Sequence, residues 1–444
     1  MGNELLVDFF APLLESCTKS QKVSILKNSI LFPKDKLYCD WTASALAYLP
    51  IEKRILDFLP FYANTHSESS QHSEFTSALY AKTRENLKKI LGLDSSFALI
   101  SCGFGSSAAM KKFQELLGIY IPPKTREILK VDKNNPKLKS SLPLVIIGPY
   151  EHHSNELSLR EGLCEVVRIP LNCEGLFCME SLKTLLAQSK GRKIIASMAL
   201  ASNVSGIVVP YDEISYRIRE QGGIVCFDMS SSSPYFDIPS QYYDVAFLSP
   251  HKLLGGIGSS GILVIKKALI DKSLPPTFSG GGVVGYVSRS SQQYFSDEES
   301  REEAGTPGIL EFLKAGLAYS LRNELGCEWI MQQKAQHNQV LLEFFLNEPE
   351  IVLYGNPKAN ALGIFSFNLK GHNPFKLAQN LSQDFGIMLR AGCACAGPYG
   401  HDLLGLPDSP PKEKPGFIRM NSHYSHTNAD IDYFCQCLKK FIKS

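Results

Sequence analysis

The order of short β-rich runs and helical patterns predicts an α/β protein: a large lobe on a mostly parallel sheet, followed by a smaller α+β lobe. Three observations predict it. Six runs rich in aliphatic and β-branched residues recur between residues 97 and 265, amphipathic segments separate them, and after Gly308 the pattern changes to long helices and a short mixed tail. The runs are Phe97 to Ser101, Leu144 to Gly148, Lys193 to Ser197, Gly223 to Phe227, Asp244 to Leu248 and Gly261 to Ile265. Ser107 to Leu117 and Tyr211 to Gln221 carry apolar residues at helical spacing. Residues Ile121 to Pro143, rich in Lys, Pro, Asn and Ser, break the alternation and read as an exposed excursion. Helices are expected at Ile309 to Glu324, Glu328 to Phe345 and near Asp430 to Ile442. The expected organisation is an N-terminal segment, 1–50, packing with the small lobe, a large domain at 51–308 and a small domain at 309–444.

Composition narrows the function classes. With 444 residues, 44% hydrophobic and 20% charged, the chain can bury a large core. Its 46 basic and 44 acidic residues give a formal charge of +2 with no long basic run, so no nucleic-acid or anionic-membrane footprint is expected, and a small substrate is. Twelve cysteines in a chain too long to need disulfide staples suit a reducing compartment, the cytoplasm. The N-terminal MGNELLVDFF lacks a cationic segment followed by a sustained apolar core, and Leu6 stands where a myristoylation start at Gly2 would need Ser or Thr.

Ligands of such sheets bind beyond the carboxyl ends of the strands, so motifs that follow the predicted strands carry most weight. After Asp244 to Leu248 comes SPHKLLGGIGSSG, with Lys252 directly after His251. An enclosed lysine near a cation is partly neutral and able to form a Schiff base, so Lys252 is a candidate pyridoxal phosphate anchor, or else a solvated lysine in a turn. After Phe97 to Ser101 comes CGFGSSAAMKK, where glycines with Ser106 and Ser107 open a helix and suit a phosphate, or form a plain serine-capped turn. Gly256, Gly258 and Gly261 match GxGxxG, but they precede a strand and are discounted as a dinucleotide site. His152 and His153 follow the second strand, where a histidine is able to stack on a cofactor ring. Asp228 ends the fourth strand and is placed either to pair with a protonated pyridine nitrogen or to cap a turn. Asn203 is placed to hydrogen-bond a ring oxygen or to shape a turn.

Taken in order, YANTHSESS, CGFGSSAA, EHHSNELSLRE, SNVSGIVVP, FDMSS, SPHKLLGG, REEAGTPGI and GIMLRAGCACAGPYG resemble the class V aminotransferase superfamily, in its cysteine desulfurase and selenocysteine lyase branch, over roughly Tyr38 to Asp432. The resemblance implies the pyridoxal 5′-phosphate-dependent transferase fold of type I, with a mostly parallel seven-stranded-type sheet. It implies Lys252 as the Schiff-base lysine, Asp228 on the pyridine nitrogen, His152 stacked on the ring and Asn203 near the ring hydroxyl. It also implies phosphate contacts from Ser106, Ser107, Ser249 and His251. Gly280 to Gly282 match a stretch that completes the partner subunit's site, so a homodimer is implied. Within Arg-x-Gly-x-x-Cys, Cys395 matches the cysteine that takes sulfur from substrate as a persulfide, leaving alanine. A reachable thiolate suits that role. Arg419 matches the arginine that binds the substrate carboxylate, for which a planar bidentate donor is apt, and Arg390 opens the cysteine motif as a second substrate-binding candidate. A protein that accepts the sulfur is an implied partner.

Two departures matter. Asp228-Met229-Ser230-Ser231 places Ser231 where the family commonly has a glutamine on the cofactor oxygen. Cys393, two residues before Cys395, is open to sulfur relay, a strained link or apolar filling. Neither that pair nor Cys435 and Cys437 has a second pair at zinc-finger spacing, so no metal is expected. Cysteine desulfuration is the leading expectation. The alternatives are another class V reaction that does not use Cys395, and an inactive relative that acts as a binding partner.

Overall fold

A computed structural model describes residues 9–14, 18–65, 69–133, 135, 138, 140–409 and 414–442. Gly2, Leu6, Cys17 and the 66–68 part of YANTHSESS, all read above, lie outside the described residues.

A short strand β1 (Leu37–Tyr38) precedes the seven that form the main sheet: β2 (Phe97–Phe104), β3 (Leu144–Ile147), β4 (Glu165–Arg168), β5 (Ile194–Ala199), β6 (Ile224–Asp228), β7 (Val245–Leu248) and β8 (Ser260–Lys266). Their spatial order is β2-β8-β7-β6-β5-β3-β4, and β8 alone runs antiparallel to its neighbours. This is the mostly parallel, seven-stranded sheet that the resemblance implied. The central strands read as unbroken apolar runs because helices cover both faces. Alternate residues part to opposite sides: Leu144 and Ile146 join one core, Val145 and Ile147 the other. All six strands predicted from the sequence are present, each within three residues of its expected ends. The seventh, β4, has the sequence EVVR and is half-buried throughout, so it lacks the apolar signal of the others.

Helix Gly105–Leu116 begins two residues before its predicted start. The described part of the excursion at 121–143 is exposed as expected, and it holds a short helix, Pro123–Ile128, which proline at its first position favours, with no buried residue. Beyond the main sheet, β9 (Val284–Val287) and β10 (Gln292–Tyr294) form a mostly exposed hairpin that composition did not reveal. Two helices follow, Ile309–Leu325 and Cys327–Asn347.

The C-terminal region folds on a second sheet of β11 (Ile351–Tyr354), β12 (Ile364–Leu369), β14 (Arg390–Gly392) and β15 (Phe417–Asn421), in the order β11-β12-β15-β14, all antiparallel. Strand β13 (Ile387–Met388) pairs instead with β1 in parallel, and Asn421 N–H donates to Cys39 O at 2.9 Å. A third core of Phe345, Phe367, Leu381, Ile418 and Phe434 lies under this sheet. Among the described residues no helix is long and apolar enough to cross a membrane.

Candidate active site

One cavity of about 190 Å³ is lined by twelve of the residues singled out from the sequence: Ser106, Ser107, His152, Asn203, Asp228, Ser231, Ser249, His251, Lys252, Arg390, Cys395 and Arg419. The main sheet accounts for most of this. Strands β2, β3, β5, β6 and β7 share one direction, and their carboxyl ends deliver Ser106 and Ser107, His152, Asn203, Asp228, and Ser249 to Lys252 to one edge. The small sheet closes the cavity from the other side with Arg390, Cys395 and Arg419.

Lys252 ends a single 3₁₀ turn, Pro250–Lys252, that follows β7. Burial lowers its pKa to about 8; Asp228 opposes that shift, and Arg419 and Arg390 reinforce it. The amine is therefore partly neutral near physiological pH, which a nucleophilic or proton-moving lysine requires. Asp228 is buried at the end of β6 and accepts a hydrogen bond from Ser230 N–H at 2.9 Å. His152 caps helix His153–Glu161, its Nδ1 accepting from Ser154 N–H at 3.1 Å. Burial lowers the pKa of His152 to about 4, with Asp228 opposing, so its ring is neutral and suited to stacking. His251 is likewise lowered to about 4 by burial and by Lys252.

At the other end, Gly105 starts the twelve-residue helix Gly105–Leu116 with φ +61°, and a Cβ there would stand 3.0 Å from the His251 ring. Glycine thus keeps open a cradle lined by amides at a helix N-terminus. Ser249 does more than line it: its Oγ accepts Ser106 N–H at 3.0 Å and pairs with Ser230 Oγ at 3.0 Å, which ties the cradle to β7. Ser107 Oγ pairs with Ser154 Oγ. Asn203 Nδ2 donates to Ala394 O at 2.6 Å, while its buried Oδ1 has no partner among the described residues. That orphaned acceptor beside Asp228, His152 and a phosphate-sized cradle fits pyridoxal 5′-phosphate, since a buried amide oxygen without a partner is costly unless a ligand satisfies it. Ser231 is buried and lines the same wall.

The substrate side carries a feature no motif indicated. Arg390 and Arg419 are directly opposite in the β14–β15 register, a like-charge pair that would repel. Asp40, just beyond β1, resolves it: Oδ1 accepts from Arg419 Nη2 at 2.7 Å and Oδ2 from Arg390 Nε at 3.0 Å. Arg419 also donates to Asn203 O at 3.0 Å, is almost wholly buried, and keeps Nε without a partner among the described residues. Burial holds its pKa below the usual arginine value, with Asp40 opposing.

Cys395 is exposed and sits in a tight turn closed by Ala396 N–H to Cys393 O at 3.0 Å. Ala394 and Cys395, the central residues, have φ +49° and +58°. Two successive left-handed non-glycine residues cost of order 1–3 kcal/mol each and persist only where surrounding contacts impose them, commonly at functional sites. Those contacts include His153, whose N–H donates to Cys395 O at 2.8 Å and whose Nε2 accepts Gly397 N–H at 2.8 Å. Cys393 is half-buried with Sγ on Pro415 O at 3.4 Å, and burial raises its pKa. Cys437 is buried and Cys435 half-buried on the C-terminal helix, outside this cavity.

Glu151 and Asp40 escaped the sequence reading, and His153, named there beside His152, takes a place at the Cys395 turn that no motif indicated. Glu151 accepts Gly148 N–H, Ala199 N–H and Asn155 Nδ2, tying β3 to β5, and burial raises its pKa to about 7. Its only local signal was its place beside His152. Gly280–Gly282 precede the β9–β10 hairpin and do not line their own chain's cavity.

The sequence model of class-V aminotransferases matches residues 136–434. A cysteine desulfurase of Shigella sonnei is 32% identical over 290 residues, which are 63% of this chain and 67% of that protein. Among solved structures, the apo cysteine desulfurase of Thermococcus onnurineus is similar over 97% of this chain and all of that one, with TM-score 0.79 and 22% identity. A cysteine desulfurase of Escherichia coli in an S-sulfonic acid form is similar over 97% and 99%, with TM-score 0.76 and 18% identity.

Proposed function

Because this chain belongs to the class-V aminotransferase family and is a cysteine desulfurase-like, pyridoxal phosphate-dependent enzyme within it, we propose that it removes sulfur from L-cysteine, or selenium from L-selenocysteine, and leaves alanine. One observation carries this reading: Cys395 lines the same cavity as Lys252 and Arg419.

Lys252 would anchor the cofactor, Asp228 would face its ring nitrogen, His152 its ring and Asn203 Oδ1 its hydroxyl, with Ser106, Ser107, Ser249 and His251 around its phosphate. Bound there, pyridoxal 5′-phosphate supplies an electron sink for the substrate's α-carbon. Arg419, through its free Nε, and Arg390 orient the substrate carboxylate, and Asp40 keeps both guanidinium groups in place. Lys252, partly neutral, removes the α-proton at Nζ and returns a proton to the carbon skeleton. Cys395 Sγ, as thiolate, attacks the substrate's sulfur. A sulfur–sulfur bond forms, the carbon–sulfur bond breaks, and the carbon fragment takes up protons to become alanine. The persulfide then lies on an exposed residue, within reach of an acceptor protein or thiol.

A homodimer belongs to the same reading. Phe104 and Phe278 are strongly exposed around a second hollow that adjoins the active cavity, and they suit burial against another copy together with the Gly280–Gly282 loop. The cytoplasm remains the proposed compartment.

The test is to supply pyridoxal phosphate, a thiol reductant that discharges the persulfide, and L-cysteine or L-selenocysteine, and to quantify alanine with sulfide or selenide. Equal release of both products, lost in Lys252→Ala and Cys395→Ala, supports the reading. Turnover that survives Cys395→Ala would point to a different class V reaction.

A further inference from the structure

We propose that His153 is a positioning residue that holds the Cys395 turn in its left-handed form and fastens it to the helix that begins beside the cofactor site. The proposal rests on the reading of Cys395 as the sulfur acceptor. His153 grips the turn from both sides: its backbone N–H donates to Cys395 O at 2.8 Å, and its Nε2 accepts Gly397 N–H at 2.8 Å. A Cβ on residue 397 would stand 2.8 Å from that nitrogen, so glycine there is what permits the approach. Asn203 adds a third hold through Ala394 O at 2.6 Å.

The turn needs such holds because Ala394 and Cys395 both have positive φ. The two adjacent histidines divide the work. His152 lines the cavity, whereas His153, which does not, addresses the nucleophile's backbone; their ring centroids are 6.3 Å apart. The bond at Nε2 requires a neutral imidazole with its proton on Nδ1. Burial favours the neutral form, with Arg160 reinforcing it and Glu156 opposing. The contact thus fixes where Sγ can go relative to substrate, without itself touching substrate.

A purely structural histidine at the start of a helix would be replaceable without effect on the turn, and three substitutions separate the cases. His153→Ala removes the Nε2 acceptor. His153→Gln places an amide acceptor near the same point. His153→Asn is polar but too short to reach it, and serves if the alanine variant does not fold. Two readouts use the full chain as purified: hydrogen–deuterium exchange of the 394–400 segment, and the rate of iodoacetamide alkylation at Cys395. Steady-state kinetics with L-cysteine adds a third.

In the alanine and asparagine variants, exchange at Gly397 and alkylation at Cys395 change several-fold, and kcat falls about tenfold while KM stays within about twofold, because the arginines are untouched. Glutamine restores all three. Unchanged exchange and alkylation in the alanine variant, or a glutamine variant that behaves like alanine, would overturn the proposal. If L-cysteine is not the substrate, no variant turns it over, yet the exchange and alkylation pattern still decides the role of His153.

Discussion

Lys252 and Lys334 are both pushed below the usual lysine range by burial, to about 8 and about 7, yet their surroundings differ in every other respect. Lys252 faces a cavity that also holds a carboxylate, two arginines and a thiol. Lys334, on helix Cys327–Asn347, is completely enclosed. It donates to Ser422 O at 2.5 Å and Ser422 Oγ at 3.2 Å and lies 4.2 Å from the centre of the Tyr235 ring. Burial is its sole perturbing influence, whereas Asp228 partly restores the charged form of Lys252. A neutral lysine is therefore not sufficient for chemistry. What separates the two is an open volume for a reactant and a carboxylate placed to complement it.

The largest expected contrast is in turnover. Lys252→Ala should lose visible absorbance from bound pyridoxal phosphate and at least about a thousandfold in turnover, with little change in thermal stability. Lys334→Met should keep both absorbance and turnover; loss of either would put Lys334 in the working site and break the comparison.

Acidity sharpens it next. Once substrate has released Lys252 from the cofactor its amine acts only when neutral, so kcat should rise with pH up to about 8 and fall about tenfold for each unit below that. A rate independent of pH between 6 and 8 would contradict a base at Lys252. Asp40→Asn should come third. With the bridge between Arg390 and Arg419 weakened, KM for L-cysteine should rise about fivefold while kcat changes less, as expected when ground-state binding is lost.

The smallest effect concerns stability. The folded pKa of Lys334 is depressed from 10.5 to about 7, so between those values the unfolded chain binds a proton that the folded chain refuses. The protein should therefore lose stability as pH falls from 10.5 towards 7. Lys334→Met removes this proton linkage, so its unfolding free energy should fall less between pH 10 and pH 7 than that of the unsubstituted protein, as read in denaturant titrations.

Much of the fold was legible because the main-sheet strands bury both faces and so advertise themselves as apolar runs, as LVII and VAFL do. Strand β4 and the β9–β10 hairpin were silent because they are edge or exposed elements with mixed sequence. In the site, residues that directly follow strands, such as Asp228 and Lys252, carried a local signal. Asp40 did not: its partners lie 350 and 379 residues away, and the need for it arises only when the β14–β15 register sets two arginines side by side. His153 was masked by its neighbour, since adjacent histidines look alike in sequence while one faces the cavity and the other the Cys395 turn. The left-handed turn at Ala394 and Cys395 was equally hidden, because neither residue type favours it and distant contacts impose it.

The most direct test of the central claim is mass spectrometry of the Cys395 peptide after brief mixing of the pyridoxal phosphate-loaded protein with L-cysteine, in the absence of reductant. One additional sulfur on Cys395, formed as fast as alanine and absent in Lys252→Ala, is the predicted result. Alanine formed at full rate with Cys395 unmodified would contradict it.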